Sequence, residues 1–358
     1  MNFAHYSSVW KFLKSEMVVM LGLLDDASST DAQIAEMYGL NKGTVASVRR
    51  RLVDAGALCY SNIPAFNKLG CEMICCHFGS TDPALSQDVK TGHYMEFCDS
   101  QPSIFNGLIG GNSVVFFTAF KNATELETFN LARNRFFSGV KRLSKADFRT
   151  VMFPYAVSRG SYTTNFAPLV HDFFKLEVPQ PKPRPVVHVD VETPDLGETE
   201  RNVLVSMVEN PGGSDREIAA RVKLSRQAVT RVRNRLVEDG FVTLKCLPRL
   251  YKWGFEIYAV ANARFNMDMP WDKRLKGQPR PPVDFSFFTL SKPDESVSNY
   301  MVPRFQDYAE SLESAMAWYH KAKAFDAKPD INVFALERCT ELRNFEFAPI
   351  VNHLLSGN

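Results

Sequence analysis

Long apolar runs are missing from this chain, and none approaches the length needed to cross a bilayer. The first residues, MNFAHYSSVWKFLKSEM, show neither a charged start before an apolar stretch nor a small-residue cleavage site, so no secretory leader is expected. Charge of one sign is missing too. Lys and Arg number 42 against 40 Asp and Glu, a net charge of +2, so any basic patch must be local. Seven cysteines, odd in number with two adjacent, make no disulfide framework in 358 residues, and a reducing cytoplasm is the expected setting. No phosphate-binding Gly loop, nucleophile elbow or spaced carboxylate pair stands out. Cys71, Cys75, Cys76 and His77, with His93 and Cys98 downstream, match no zinc spacing. On a strand Cys71, Cys75 and His77 would point one way and Cys76 the other, as core filling. No metal and no cofactor is expected. What remains, at 45% hydrophobic and 23% charged, is an ordinary globular composition long enough for two to four domains.

The chain does contain a repeat. Shifted by 184 residues, Glu16–Gly70 lies on Glu200–Gly254 without a gap. Identical pairs include Ile34/Ile218, Ala35/Ala219, Val45/Val229, Val48/Val232, Arg49/Arg233, Arg51/Arg235, Leu52/Leu236 and Gly56/Gly240. Near the two ends FAPLVHDFF (Phe166–Phe174) matches FAPIVNHLL (Phe347–Leu355) at a shift of 181. The whole chain therefore reads as two copies of one unit.

Within each unit the clearest stretch is SDREIAARVKLSRQAVTRVRNRLVEDGFVTLK (Ser214–Lys245). Ser214 with Glu217, and Thr30 with Gln33 in the first copy, form capping boxes for one short helix, and Ser225 caps the next. Val229, Val232 and Leu236 fall at helical spacing and face inward. The opposite side of that helix carries Arg226, Gln227, Thr230, Arg231 and Asn234. Arg can pair with guanine, Gln or Asn with adenine, and Thr with either edge or a thymine methyl, which is the chemistry of a major-groove reader. Gly240 ends the helix, and Phe241–Leu244 reads as the first strand of a hairpin wing, where Lys245 and Arg249 would hold phosphates.

After the wing of copy one, Met73–Phe78, Ser103–Phe105, Ser113–Phe120 and Arg149–Tyr155 read as strands, and Ala84–Cys98 and Thr124–Phe137 as helices. That order is βαββαβ, a ferredoxin-like plan. Copy two offers strands at Glu256–Phe265, Phe285–Leu290, Asn299–Phe305 and Ile331–Leu336 and a helix at Asp307–Ala322. A Pro- and Lys-rich stretch, DMPWDKRLKGQPRPPVD, stands where its first helix would fall. The fold class expected is α+β, with two winged helix-turn-helix domains alternating with two ferredoxin-like domains in an internal pseudo-two-fold repeat. The expected boundaries are 1–66, 67–175, 198–250 and 251–358, with a Pro-rich linker at 176–197.

This pattern resembles the Lrp/AsnC type of archaeal and bacterial regulators, as a tandem duplication. The resemblance implies double-stranded DNA as partner, a small-molecule effector held between the sensing domains, and pairing of chains into a homodimer. The copies are not equivalent in charge. From Glu16 to Lys68 there are five basic and six acidic residues, and from Glu200 to Lys252 eleven basic and six acidic. Arg226, Gln227, Thr230, Arg231 and Asn234 correspond to Lys42, Gly43, Ala46, Ser47 and Arg50. Copy two is therefore expected to dominate DNA reading, with Ser225 at the helix start and Lys42, Ser47 and Arg50 as secondary contacts. A winged-helix adaptor for a protein partner is an alternative. Some proteins of this architecture are siroheme decarboxylases, but Ser298-Asn299-Tyr300 stands where that family would carry His-Asn-Tyr. On that departure the chain is expected not to be an enzyme.

Overall fold

The computed structural model describes residues 12–139, 148–161, 166–179, 181, 190–192, 195–271 and 285–356. Copy one begins with helices α1 (Lys14–Asp25), α2 (Asp31–Tyr38) and α3 (Lys42–Asp54), followed by strand β1 (Leu58–Pro64). Copy two repeats this order with α7 (Glu198–Glu209), α8 (Asp215–Val222), α9 (Arg226–Glu238) and β7 (Val242–Pro248). The caps form as the residues dictate. Thr30 and Gln33, and Ser214 and Glu217, exchange reciprocal side-chain to backbone hydrogen bonds. Val45, Val48 and Leu52 on α3, and Val229, Val232 and Leu236 on α9, are buried. Each such side chain contributes roughly 1.5–3 kcal/mol when removed from water.

The expected hairpin wings do not form. β1 and β7 pair with each other, antiparallel, in a two-stranded ribbon that joins the copies. Its register places Ser61 opposite Lys245, and these are repeat equivalents, since 61 + 184 = 245. Every other pair steps symmetrically away from that one. Asn62 seals the ribbon to the other copy by donating from Nδ2 to Met207 O at the end of α7 (2.8 Å).

In copy one the ribbon leads into β2 (Met73–Ser80), α4 (Gln87–Ser100), β3 (Ile104–Gly110), β4 (Ser113–Phe120), α5 (Ala123–Ser138) and β5 (Phe148–Pro154). In copy two the corresponding strands are β8 (Ile257–Arg264), β9 (Ser286–Ser291), β10 (Glu295–Val302) and β11 (Asp330–Ala335), with helix α10 (Phe305–Lys321) before the last. The expected strand at Asn299–Phe305 thus begins earlier, and Phe305 opens the helix. Most of the Pro- and Lys-rich stretch lies outside the described residues.

Two short strands absent from the sequence reading complete the sheets. β6 (Arg159–Ser161) of copy one adds to β9 of copy two, and β12 (Cys339–Arg343) of copy two adds to β3 of copy one. The sheet orders are β12-β3-β4-β2-β5 and β11-β8-β10-β9-β6, all pairings antiparallel. Helices α6 (Ala167–Phe174) and α11 (Ala348–Ser356) then return to pack on α1 and α7. The central core lies between the inner faces of the two sheets, where Phe117 meets Phe288 and Phe105 stacks on Phe347.

Arg343 ties the copies together. Its guanidinium, buried in the protein, donates to Cys98 O (2.7 Å), Ile104 O (2.5 Å) and Gln101 O (3.2 Å) around the end of α4. Cys98 O also accepts from Gln101 N (3.1 Å) and Gln101 O from Ile104 N (3.3 Å), so the guanidinium adds a second donor to each, and a cation there meets the negative end of the helix dipole.

Candidate nucleic-acid interface

α9 presents the expected outward row. Ser225 Oγ accepts from Ala228 N (3.2 Å) and starts the helix. Arg226, Gln227, Arg231 and Asn234 are exposed on the side opposite Val229, Val232 and Leu236. Together with Ser225, Thr230, Arg235 and Glu238 they line a broad concavity of about 950 Å³. Arg235 and Glu238 were not singled out from the sequence. They continue the line of Arg231 at four- and seven-residue spacing, which was the available signal.

Thr230 plays a different part from the one expected. Its hydroxyl lies 2.5 Å from Asp215 Oδ2 and 3.0 Å from Arg226 O, so its proton is committed within the protein. It fastens α9 to α8 rather than standing free for a base. The arginines shared by both copies are likewise structural. Arg233 pairs with Asp215 (2.9 Å) and donates to Gly213 O, and Arg49 repeats this with Asp31 (2.7 Å) and Ser29 O. Arg235 pairs with Glu200 as Arg51 does with Glu16. These identical pairs clamp the third helix of each reader to the first two. Among the described residues, the cations on the α9 row with no such internal ion pair are Arg226 and Arg231. On α3, Lys42, Ser47 and Arg50 are exposed, but Gly43 and Ala46 leave that face without hydrogen-bonding side chains between them.

Lys245 and Arg249 do not form a phosphate-holding wing. Lys245 is 3% exposed at the centre of the β1·β7 ribbon. Arg249 follows the ribbon, partly buried, with its guanidinium toward Tyr251 and Cys59. A strand paired across the copies has no free hairpin tip to lay along DNA. Replacing Lys245 by Gln is therefore expected to leave the slope of log affinity against log salt unchanged. Arg226→Ala should lower discrimination between sequences rather than remove the unit of slope that one phosphate contact contributes.

The cysteines sit in the core. Cys71, Cys75, Cys76 and Cys98 are buried, and burial pushes the thiols up, Cys75 and Cys98 to about 12. Cys71 precedes β2 and shares the central core with Cys76, whereas Cys75 faces the outer core, so Cys71 and Cys75 do not share a side. His77 is fully buried between Thr150 Oγ1 (2.9 Å from Nδ1) and Thr118 Oγ1 (2.9 Å from Nε2). Burial first, and the nearby Arg133 guanidinium second, hold its pKa well below the usual value. The unfolded chain binds a proton near pH 6.5 and the folded chain does not, so stability is complete above that pH and falls below it. Urea titrations between pH 7.5 and 5.5 should show a loss of up to about 1.4 kcal/mol per pH unit from this group. The loss should be smaller in His77→Gln.

Where the inner faces of the two sheets meet, Asn106, Tyr258, Arg249, Glu341 and Asn344 surround a cavity of about 40 Å³. That volume accommodates water. Tyr258 donates from its hydroxyl to Asn299 Oδ1 (2.7 Å), and burial raises the Glu341 carboxyl above its ordinary value. Among the described residues no helix is long and apolar enough to cross a membrane.

The family described as winged helix-turn-helix DNA-binding matches residues 196–243, the span from the approach to α7 to the start of β7. No curated protein matches the chain by sequence. Among solved structures, the siroheme decarboxylase NirDL is similar over 95% of this chain and 98% of its own, with 13% identity and a TM-score of 0.51. The same enzyme in co-complex with an iron-uroporphyrin III analogue covers 95% and 99%, also at 13% identity and 0.51. AsnC from E. coli covers 40% of this chain and 92% of its own, at 14% identity and a TM-score of 0.30. The chain thus carries a winged helix-turn-helix in its second copy, within a tandem duplication of the same order of elements. One expectation is corrected. A fold shared along the whole chain with an enzyme removes the ground for calling this protein a non-enzyme, whatever residue stands at 298.

Proposed function

We propose that the chain is a sequence-specific DNA-binding regulator that reads DNA mainly through α9 of its second winged helix, with the copies disposed about the pseudo-two-fold centre of the β1·β7 ribbon. The observation that carries this reading is the division of labour among the cations of α9. Arg233 and Arg235 are taken up by Asp215 and Glu200, while Arg226 and Arg231 stand exposed beside Gln227 and Asn234. Guanidinium and amide groups on one helix face match the donors and acceptors of base edges in a major groove. With unequal faces on α9 and α3, the operator is an asymmetric site rather than a palindrome.

The test is a titration of the full chain against genomic fragments that include its own promoter, at two salt concentrations. Tight, salt-dependent binding to particular fragments supports the regulator. Binding that is equally weak to all fragments at low salt removes it.

The full-length likeness to a siroheme decarboxylase favours a second reading, in which the duplicated scaffold handles a tetrapyrrole. Ser298 occupies the outer face of the second sheet, bonded to Thr289 (3.2 Å between hydroxyl oxygens), and offers no imidazole there. Anaerobic incubation with siroheme, followed by its absorbance spectrum and product masses, decides this reading. An unchanged spectrum and unchanged siroheme dispose of it.

A further inference from the structure

Just beyond the β1·β7 ribbon the two copies match residue by residue, yet the two ends hold different things. Ala65 N donates to Phe241 O and, at the equivalent place, Arg249 N donates to Ala57 O (2.9 Å each). A short 3-10 turn follows on each side, Phe66–Leu69 and Leu250–Trp253. These turns carry the repeat-equivalent lysines Lys68 and Lys252, each against the glycine that follows the third reader helix of the other copy. A Cβ on Gly240 would lie 3.7 Å from Lys68 Cε, and one on Gly56 3.1 Å from Lys252 Nζ.

At the Lys68 end a segment of the chain itself is seated. Glu192 N donates to Asn67 O (2.9 Å), and Asn67 Nδ2 donates to Asp190 O (2.8 Å). Lys68 Nζ donates to both oxygens of the Glu192 carboxylate (2.9 and 3.0 Å). Bonds to the main chain supply the hold and one acid fixes the register, as in the capture of extended peptides.

At the Lys252 end the structure has a concavity of about 390 Å³. It is lined by Val53, Leu58 and Tyr60 of copy one and by Arg249, Tyr251 and Lys252 of copy two. Lys252 Nζ donates to Ala55 O at the end of α3 (2.7 Å), and an ammonium with three donors can serve a further acceptor. Arg249 stands where copy one has Ala65 and adds a second cation. Burial first, and repulsion from Arg249 second, lower the Lys252 pKa, so the two charges share one neighbourhood. Glu341, the acid that acts on Arg249, lines the cavity between the sheets and not this one. Among the described residues no carboxylate lines the concavity.

We propose that the Lys252 concavity docks an extended acidic segment of a protein partner, its acid on Lys252 as Glu192 is on Lys68. Tyr251 in place of Asn67 has the backbone carbonyl but no side-chain amide, so the docked segment gives up one link and gains an aromatic face. The apolar Val53 and Leu58 suit a flanking side chain such as Val191 provides in the seated segment. Both cations are half-buried, whereas a duplex needs an exposed row of them, so a peptide fits better than DNA. The docking does not depend on DNA reading by α9.

Fluorescence anisotropy tests the site, with the full chain titrated into a labelled peptide of the sequence at 189–195, VDVETPD. The expected result is saturable binding that Lys252→Gln weakens at least tenfold. A peptide with Gln in place of its Glu, offered to the wild-type chain, should bind about tenfold more weakly, the equivalent of one charge-assisted hydrogen bond. No saturable binding by the wild type would overturn the proposal. So would binding undiminished in Lys252→Gln, or full-strength binding of the Gln peptide. Loss of binding in Lys68→Gln instead would mean that the peptide only displaces residues 190–192 from their own seat. Displacement of the peptide by an equimolar unrelated duplex would give the concavity to nucleic acid and overturn it too.

Discussion

Replacing Arg226 and Arg231 together by Ala is expected to erase the preference for a specific site while leaving the protein folded. Both side chains are exposed, and neither has an ion pair among the described residues, so stability should change little. Each base-reading side chain contributes about 1–3 kcal/mol of discrimination, so the double variant should lose from tens-fold up to roughly ten-thousand-fold of its preference over random DNA. Competition titrations with specific and scrambled duplexes measure this directly. A uniform fall in affinity across sequences, with discrimination intact, would show that the two arginines contact phosphates only. The neighbouring pair, Arg233 and Arg235, should behave oppositely. Their loss releases Asp215 and Glu200 and should lower stability before it alters sequence preference.

Arg343→Ala should be the most destabilising single change at the junction of the copies. It strips the cation from three backbone carbonyls at the end of α4 and leaves them buried beside a cavity. Hydrogen bonds from a charged donor contribute about 1.5–3 kcal/mol, and Cys98 O and Gln101 O keep their backbone donors, so a loss of about 3 kcal/mol is expected. Denaturant unfolding followed by both tryptophan fluorescence and circular dichroism would register it. A loss below about 1 kcal/mol would mean that β12 holds its place on β3 by strand pairing alone.

Much of this architecture was legible before any coordinates. Helical periodicity and side-chain caps place α8 and α9, because Val229, Val232 and Leu236 can share one face only in a helix that Ser225 starts. The 184-residue repeat supplies the order of α7, α8, α9 and β7 in copy two. Illegible was the partner of each strand. The pattern of Phe241–Leu244 gives a pleat and two faces, and it is the same whether the next strand is local or comes from the other copy. The hairpin wing was therefore the wrong partner for a correct strand. β6 and β12, three and five residues long, are too short for alternation to register. Lys245 misled because charge usually marks surface, and here the register centres it in the ribbon. Thr230 misled because its outward position on the helix does not reveal that Asp215 from α8 reaches its hydroxyl.

Copy two is expected to dominate DNA reading over copy one, and one paired titration tests this. The same operator duplex is bound by a chain whose α9 face is removed (Arg226→Ala, Gln227→Ala, Arg231→Ala) and by one whose α3 face is removed (Lys42→Ala, Ser47→Ala, Arg50→Ala). The account predicts that the first loses specific binding and the second keeps it within a few-fold. Equal losses, or a larger loss from the α3 variant, would contradict it.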